Sequence, residues 1–306
     1  KITNPYIDTL ELARFLLPEL GNHRLNTLCK HLEVELTQHH RAIYDAEATA
    51  EMFWKLVARL EEQEITNQDQ LNNHMGTGDS YQHSRPFHSV LLAQNEIGLR
   101  NLYKLISYSH TNYFYRVPRI PRSVLEKHRE GLLVGSACDD GEVFDTLMLK
   151  SVDEAMQVAE FYDYLEVQPP ESYYHLIERE VIQNEAQILD ILRNVVEIGK
   201  RLDKPVVATG NVHHINETEK LYRQILIASQ KGNPLNRITL PNMSYRTTTE
   251  MLEMFSFLGS EKAEEIVITN TQKISNKIEE IAPLKDTLYT PSIEGAEEDV
   301  RNLTYN

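Results

Sequence analysis

The chain of 306 residues has only two cysteines, Cys29 and Cys138, and they stand far apart in unrelated contexts. This scarcity excludes a disulfide framework and fits a protein of the reducing cytoplasm. The sequence also lacks an apolar run of about 18 residues, the length that a membrane-spanning helix needs. No charged segment followed by an apolar one opens the chain, so a secretory leader is not expected. The sequence therefore predicts a cytoplasmic protein that does not bind membranes.

Positively charged residues are scarce as well. The sequence has 31 Lys and Arg residues and 46 Asp and Glu residues, so its net charge is −15. A surface that neutralises nucleic-acid phosphates needs clustered cations, so we do not expect the chain to be a main DNA-binding surface by itself. The acidic composition does not exclude a nuclease site, because carboxylates hold the metal ions of such sites. The chain begins at Lys1 and ends at Asn306 without a recognisable ending signal, and we expect it to be a piece of a longer protein.

Composition and hydrophobic periodicity divide the chain into four segments, and its length fits about two domains of roughly 150 residues each. Residues 1–62 have helical periodicity, and residues 63–84 read as a polar linker rich in Asn and Gln. Residues 85–237 alternate short apolar runs with amphipathic stretches, which is typical of βα units around a parallel sheet or barrel. Residues 238–306 are predicted to form a helical connector. The predicted fold class is α/β.

The stretch HHRAIYDAEATA, residues 39–50, has the polar groups of a nuclease site. If a helix begins near Ala42, His40 lies just before it and Asp45 lies in its first turns. A carboxylate at this point can hold a divalent ion while the imidazole takes a proton from an attacking water. The alternative interpretation is an ordinary helix start with solvated His and Asp side chains.

A second set of candidate ligands is dispersed along the chain. Cys138 and His213 each follow a predicted strand, and the C-terminal ends of parallel strands are where barrel active sites collect. Together with Asn211, thiolate and imidazole groups suit Zn or Mn. His88 fits this edge less well, because it precedes the apolar run of its strand. The alternative is a buried cysteine with unrelated loop histidines, since no H-x-H or C-x-x-C pair fixes two ligands together.

The stretch NYFYRVPRIPR, residues 112–122, mixes aromatic rings with cations. Single-stranded nucleic-acid channels use this combination, because rings stack on bases and cations attract phosphates. The candidate contacts are Tyr113, Tyr115, Arg116, Arg119 and Arg122. The alternative is a structural loop that packs its aromatic rings on the core.

Three consecutive segments, IDTLELARFLLPEL, HRLNTLCKHLEVEL and TQHHRAIYDAEATAEMFWKL, resemble the C-terminal part of a DEDDh-type 3′ to 5′ exonuclease. In that family a histidine and the last of four acidic ligands form H-x-A-x-x-D, and His40 and Asp45 fall on these positions. The resemblance implies that His40 is the general base and Asp45 a ligand of Mg or Mn. The other acids lie upstream in the family, and Asp8 and Glu11 have the wrong spacing for its D-x-E motif. Because one carboxylate does not assemble a two-metal site, we expect the chain alone to lack exonuclease activity.

The segments RPFHSVLLAQNEIGLRNL, GLLVGSACDDG, YDYLEVQP and KPVVATGNVHHIN resemble the PHP domain of PolC-type replicative DNA polymerases. In that family the exonuclease is inserted into the PHP domain, so an exonuclease end followed by the second PHP half is the expected order. By this resemblance His88, Cys138 and His213 match PHP metal ligands, and Asn211 matches a position that is Asp in many PHP phosphoesterases. The first PHP half, with the remaining ligands, is absent.

The resemblance implies part of a replicative DNA polymerase. The expected architecture is the end of a ribonuclease H-like exonuclease domain, part of a distorted (β/α) PHP barrel and a helical connector towards the polymerase palm. The implied activity is template-directed DNA synthesis with 3′ to 5′ proofreading, and the implied partners are single-stranded 3′ ends of DNA, the remaining polymerase domains and the replisome. The implied metals are Mg or Mn for the exonuclease and Zn or Mn for the PHP site. Two alternatives stay open, a stand-alone PHP-type phosphoesterase and a non-catalytic scaffold.

Overall fold

A computed structural model describes residues 7–36, 42–68, 70–71, 81, 84–230, 240–284 and 293–305. Helices and strands are both present, so the predicted mixture of α and β structure is confirmed. In this part of the chain, no helix combines the length and the apolar character that are needed to cross a lipid bilayer.

The N-terminal region consists of helices that pack on one another. Helix α1 spans Thr9–Leu16, α2 spans Leu25–His31 and α3 spans Ala42–Glu62. The carboxylate of Asp8 caps α1, because its Oδ1 accepts hydrogen bonds from the backbone N–H groups of Leu10 and Glu11 at 2.8 and 3.1 Å. Helix α3 begins at Ala42, as the sequence predicts.

These helices share a hydrophobic core of their own. Leu12, Leu17 and Leu56 are fully buried in it. Among the residues that the structure describes, the buried members of this core are Leu12, Ala13, Leu16, Leu17, Leu28, Cys29, Leu32, Val34, Ala48, Met52, Leu56, Leu60, Ile65 and Leu71. No residue of this set belongs to the core of the following region.

A sheet forms the centre of the second region. Strand β1 (Val90–Ala93) pairs antiparallel with β4 (Leu132–Gly135), and β5 (Leu165–Val167) pairs parallel with β6 (Val206–Ala208). An isolated parallel bridge between Gly135 and Tyr164 joins the two pairs. The spatial order is therefore β1, β4, β5, β6. The short strands β2 (Phe114–Tyr115) and β3 (Val117–Pro118) form a separate hairpin.

Helices connect and cover these strands. Their bounds are Glu96–Thr111 (α4), Arg122–Lys127 (α5), Glu142–Leu149 (α6), Val152–Ala159 (α7), Tyr174–Glu178 (α8), Glu185–Arg201 (α9) and Glu217–Ser229 (α10), with a 3₁₀ turn at Pro170–Tyr173. Side chains of Asn95, Asn184 and Asn216 cap α4, α9 and α10, since each accepts a hydrogen bond from a backbone N–H in the first turn. Such caps satisfy the donors that a helix start leaves unpaired.

One face of the sheet carries the main core. Leu165 and Val167 of β5 point into it with Ile188, Leu192 and Ile198 of α9, and all of these side chains are almost fully buried. The opposite face is smaller and includes Leu133, Tyr164 and Val207. Alternation of side chains along each strand sends Glu166 of β5 to the second face.

The C-terminal segment is helical, as predicted. It contains α11 (Thr248–Met254), a 3₁₀ turn (Ser256–Leu258), α12 (Ser260–Glu264), a π-helical turn (Glu265–Thr269), α13 (Asn270–Ser275) and α14 (Ala296–Tyr305). The capping box that the spacing of Thr247 and Glu250 predicts is confirmed. Phe255 and Ile266 are fully buried in the main core. Residues 248–275 therefore pack as part of the second region and are more than a connector.

Candidate functional site

The candidate PHP residues collect at one edge of the sheet. Cys138 and Asn211 follow the C-terminal ends of β4 and β6, which run in the same direction. His88 precedes β1, but β1 is antiparallel to β4, so the start of β1 lies at this same edge. A bridge between His88 and Gly141 fixes this placement. The antiparallel direction of β1 removes the misfit that the sequence pattern indicated for His88.

His88 and Cys138 are in direct contact. The Cys138 Sγ atom lies 3.5 Å from Nδ1 of His88, and the backbone N–H of His88 donates to the carbonyl oxygen of Asp140 at 2.9 Å. Burial, with a smaller contribution from the negative charges of Asp139 and Asp140, raises the pKa of the Cys138 thiol to about 11. The thiol is therefore protonated at neutral pH, and any metal that binds here has to displace that proton.

Asn211 and His213 lie on the loop after β6. Asn211 has a φ of 44°, in the left-handed region that Asn tolerates better than most residues. Its carbonyl oxygen lies 2.8 Å from Nδ1 of the exposed His213 ring. A carbonyl oxygen only accepts, so Nδ1 carries the proton and Nε2 of the neutral ring keeps its lone pair, as in histidines that bind metals.

Among the residues that the structure describes, no group of three or more His, Cys, Asp or Glu side chains is placed to hold a metal ion. The imidazole–thiol contact of His88 and Cys138 supplies a pair of donors, whereas a structural or catalytic zinc site takes at least three protein ligands. The donors in the described part of the chain therefore do not fit a complete metal centre.

A buried contact between Asp139, the neighbour of Cys138, and His175 is a feature that the sequence pattern did not indicate. Nε2 of His175 lies 2.9 Å from Oδ2 of Asp139, and Nδ1 lies 3.1 Å from the carbonyl oxygen of Ser172. Each ring nitrogen of His175 thus lies within hydrogen-bond distance of an oxygen atom. The two side chains are 9% and 12% exposed. This pair ties the Cys138 loop to the turn that leads into α8.

Glu166 is a second feature of the site edge that sequence reasoning missed. It is 8% exposed, and Oε2 accepts a hydrogen bond of 3.1 Å from the Thr209 hydroxyl. Its backbone N–H donates to the Ser136 hydroxyl at 2.9 Å, which links β5 to the end of β4. A Cβ atom on Gly135 would lie 2.4 Å from Cζ of Tyr164 and 2.6 Å from Oε1 of Glu166, so only glycine fits there. An acidic residue in an apolar strand run, as in YLEV, is the sequence signal that marks it.

We expect Glu166→Gln to stabilise the protein near neutral pH. Burial raises the pKa of the Glu166 carboxyl group, although hydrogen bonds from Thr209 and Tyr164 oppose the shift. The stability that Glu166 contributes is therefore highest below the ordinary glutamate pKa of 4.5 and falls as the pH rises through the higher folded-state pKa. Urea midpoints measured between about pH 4 and pH 8 should show a gain from the substitution that grows with pH. The exposed Glu178→Gln is the control, and a gain independent of pH would contradict the expectation.

Of the two candidate exonuclease residues, the structure describes Asp45. His40 lies outside the described residues. Asp45 lies in the first turn of α3 and is half-buried. Upstream, the Asp8 carboxylate is used as the cap of α1, which fits a structural role and not a metal ligand.

The aromatic and cationic stretch forms the β2–β3 hairpin and its flanks. Arg119 donates from Nη1 to the carbonyl oxygens of Tyr81 and Ser84 at 2.6 and 2.8 Å. Arg122 pairs with the carboxylate of Glu142. Its Cζ atom lies over the ring of Phe161, 4.2 Å from the ring centroid.

The remaining members of this stretch have neighbours within the chain as well. The Tyr113 ring packs edge-on against Tyr81, and Arg116 lies over the ring of Tyr115 at 5.4 Å. The guanidinium groups of Arg119 and Arg122 are thus engaged in internal contacts, and nucleic-acid binding by this stretch stays a prediction.

Two family models match the chain in a particular combination. A model described as "Exonuclease" matches residues 1–53, and one described as "PHP domain" matches residues 31–177. The two matches overlap between residues 31 and 53. The chain therefore joins exonuclease sequence to PHP-domain sequence, and this combination defines its class.

Curated relatives extend the match to the whole chain. It is 66% identical to the "DNA polymerase III PolC-type" of Oceanobacillus iheyensis and 60% identical to that of Bacillus subtilis, in each case over 306 residues. The protein of the same name from Listeria monocytogenes is 55% identical over 307 aligned residues. Over its whole length the chain is similar to PolC-type DNA polymerase III proteins, so the predicted resemblance is confirmed. It spans 21% of the length of each of these relatives.

Proposed function

We propose that the chain is a segment of a replicative DNA polymerase that copies a DNA template and proofreads with a 3′ to 5′ exonuclease. The observation that carries this proposal is the alignment of all 306 residues with 21% of proteins named DNA polymerase III PolC-type. The order of the matches, exonuclease and then PHP domain, supports it. The proposed partners are a single-stranded 3′ end of DNA, the remaining polymerase domains and the replisome, in the cytoplasm.

The proposed division of the chain follows from its two cores. Residues 1–62 are the C-terminal part of a ribonuclease H-like exonuclease domain, and residues 63–84 are a linker. Residues 85–237 are the second half of a distorted (β/α) PHP barrel, and residues 238–306 lead towards the polymerase palm. Two separate hydrophobic cores support the division, although Ile65 and Leu71 of the proposed linker are buried in the N-terminal core. The parallel direction of β4, β5 and β6, with helices on one face, supports the barrel.

In the parent polymerase, we propose His40 as the general base of the exonuclease and Asp45 as a ligand of its Mg or Mn. A histidine near neutral pH can accept the proton of an attacking water, while a carboxylate holds the ion that the reaction requires. The chain offers only one of the four acids that the family pattern needs. On its own it therefore lacks exonuclease activity.

At the second site, we propose that His88, Cys138, Asn211 and His213 contribute to a PHP site for Zn or Mn. Their common edge and the contact between His88 and Cys138 support the grouping. Ligands from the missing PHP half would complete the set. The chain's own residues already order the site, because the Asp139–His175 pair and the Glu166–Thr209 bond hold the loops after β4 and β6.

A non-catalytic role of the PHP part is the second candidate function. The absence of a group of three or more acidic, His or Cys side chains around a metal position, within the described ranges, favours a scaffold over a stand-alone phosphoesterase. In this role the buried polar network stabilises the polymerase and turns over no phosphoester.

Primer extension and removal of a mismatched 3′ end, measured on the full-length polymerase that contains this segment, test the proposed function. We expect both activities in the full-length protein. A full-length protein that hydrolyses simple phosphoesters but neither extends nor trims a primer would support the phosphoesterase and contradict the polymerase.

A further inference from the structure

A cleft of about 550 Å³ lies at the end of the sheet opposite to the candidate PHP residues. Pro205 and Val206, at the start of β6, line it, whereas Asn211 and His213 follow the other end of that strand. Helix α9 and residues 262–277 form its walls. The volume is in the range of about 300–1,000 Å³ that small-molecule sites occupy.

The cleft reverses the charge of the protein locally. Among the described residues, five lysines and two acidic residues line the cleft: Lys200, Lys204, Lys262, Lys273 and Lys277, with Asp203 and Glu265. The chain as a whole carries a net charge of −15. Lysine ammonium groups converging on one cleft attract a compact anion, and an apolar floor strengthens that attraction by lowering the local dielectric constant. Buried Val206 and Ile266 supply such a floor.

Lys204 has a structural role in the cleft wall, because its ammonium group is hydrogen-bonded to backbone carbonyl oxygens. It donates to the carbonyl oxygens of Ala159 and Glu160 at 3.0 and 2.6 Å and to that of Tyr162. Lys262 pairs with Glu265 on the neighbouring turn. These contacts fix the shape of the cleft.

The other lysines are uncommitted. Within the described ranges, no hydrogen bond or ion pair is made by the ammonium groups of Lys200, Lys273 and Lys277. They are not needed to cap the helices that end here. Backbone N–H groups already donate to the last carbonyl oxygens of α9, including Lys204 N–H to Gly199 at 2.8 Å, and α13 ends in the same way.

An unusual backbone supports a binding role for the cleft. The π-helical turn Glu265–Thr269 interrupts the run from α12 to α13, and its residues Glu265 and Ile266 face the cleft. Single π turns within α-helices occur frequently at functional sites. In this protein the turn and the uncommitted lysines line the same cleft.

We infer that this lysine cleft binds a small phosphate-bearing anion through Lys200, Lys273 and Lys277. Ammonium groups bind phosphate oxygens as point charges, and three of them around an open cleft suit a di- or triphosphate group. The same chemistry also occurs in the backbone of a nucleic acid, and the two sources are separated by experiment. The inference does not depend on the proposed function, because its test requires no polymerase, nuclease or phosphatase activity.

The test is calorimetric titration of the 306-residue chain with inorganic tripolyphosphate, beside a single-stranded oligonucleotide. We expect saturable binding of one tripolyphosphate per chain, weakened at least about tenfold in Lys200→Met/Lys273→Met/Lys277→Met. The matched control Lys30→Met/Lys104→Met/Lys127→Met changes the net charge equally at exposed positions outside the cleft. It should bind tripolyphosphate as tightly as the unsubstituted chain does. The exposed single substitution Lys273→Glu provides the same readout if the triple variant does not fold.

Three results would overturn the inference. The first is that the unsubstituted chain does not bind tripolyphosphate saturably, and the second is that the cleft variants bind it as tightly as the unsubstituted chain. The third is that the control variant loses as much affinity as the cleft variants. If the oligonucleotide alone binds with dependence on the cleft lysines, the phosphates come from nucleic acid and the small-anion site is contradicted.

Discussion

Replacing His40 with Ala in the full-length polymerase should lower the rate of 3′-end removal by about 10²–10⁴-fold, the usual contribution of a general base. Without the imidazole, no side chain at this position takes the proton from the attacking water. The proposed DNA synthesis would use residues outside this segment, so we expect primer extension with correctly paired nucleotides to be unchanged. The measurement compares both rates on the same primer and template, with and without a terminal mismatch.

His39→Ala is the matched control, because it removes the neighbouring imidazole of the same HHR sequence. We expect its exonuclease rate to stay close to that of the parent protein. Equal loss in the two variants would mean that the local helix start is sensitive to any substitution, and an unchanged rate in His40→Ala would contradict the assignment of the base.

Asp139→Ala should destabilise the second region by about 2 kcal/mol, because it leaves Nε2 of the buried His175 ring without its hydrogen-bond partner. Removing one partner of a buried hydrogen bond costs more than the bond itself contributes, since the remaining polar group stays out of water. Hydrogen exchange of peptides within residues 130–180 would report this loss for the region that contains the pair. The Cys138 loop should exchange fastest, because Asp139 holds it directly.

The exposed pair of Asp190 and Arg193 is the control for this effect. Nη1 of Arg193 lies 2.8 Å from Oδ1 of Asp190, which is a short ion-pair distance, but the Asp190 side chain is 70% exposed. Asp190→Ala should therefore change the stability by less than about 1 kcal/mol. If Asp139→Ala is equally mild, the contact between Asp139 and His175 does not stabilise this region.

Local patterns predicted the elements that depend on neighbouring residues. Helix α3 begins at Ala42, and the capping box of Thr247 and Glu250 forms as its spacing indicates. The apolar runs at residues 90–93 and 132–135 are strands. These features follow from periodicity and from side chains that bond within one turn, so a single sequence contains the information.

Long-range pairings could not be predicted in the same way. The contact between Asp139 and His175 joins residues that no motif connects. The antiparallel direction of β1 decides on which edge His88 lies, and the apolar run gives no direction. Likewise, the composition of the 112–122 stretch does not indicate that Arg119 and Arg122 bind partners within the chain. The resemblance to a family, carried by several motifs in a fixed order, predicted function better than any single pattern.

Release of nucleotides from the 3′ end of single-stranded DNA by the isolated 306-residue chain, with Mn, tests the central claim most directly. Because the chain holds only one of the acids that a two-metal exonuclease needs, we expect no release from the parent chain or from His40→Ala. Mn-dependent release that disappears in His40→Ala would show that other groups replace the missing carboxylates. The chain would then be a nuclease in its own right, contrary to its proposed place as one segment of a larger polymerase.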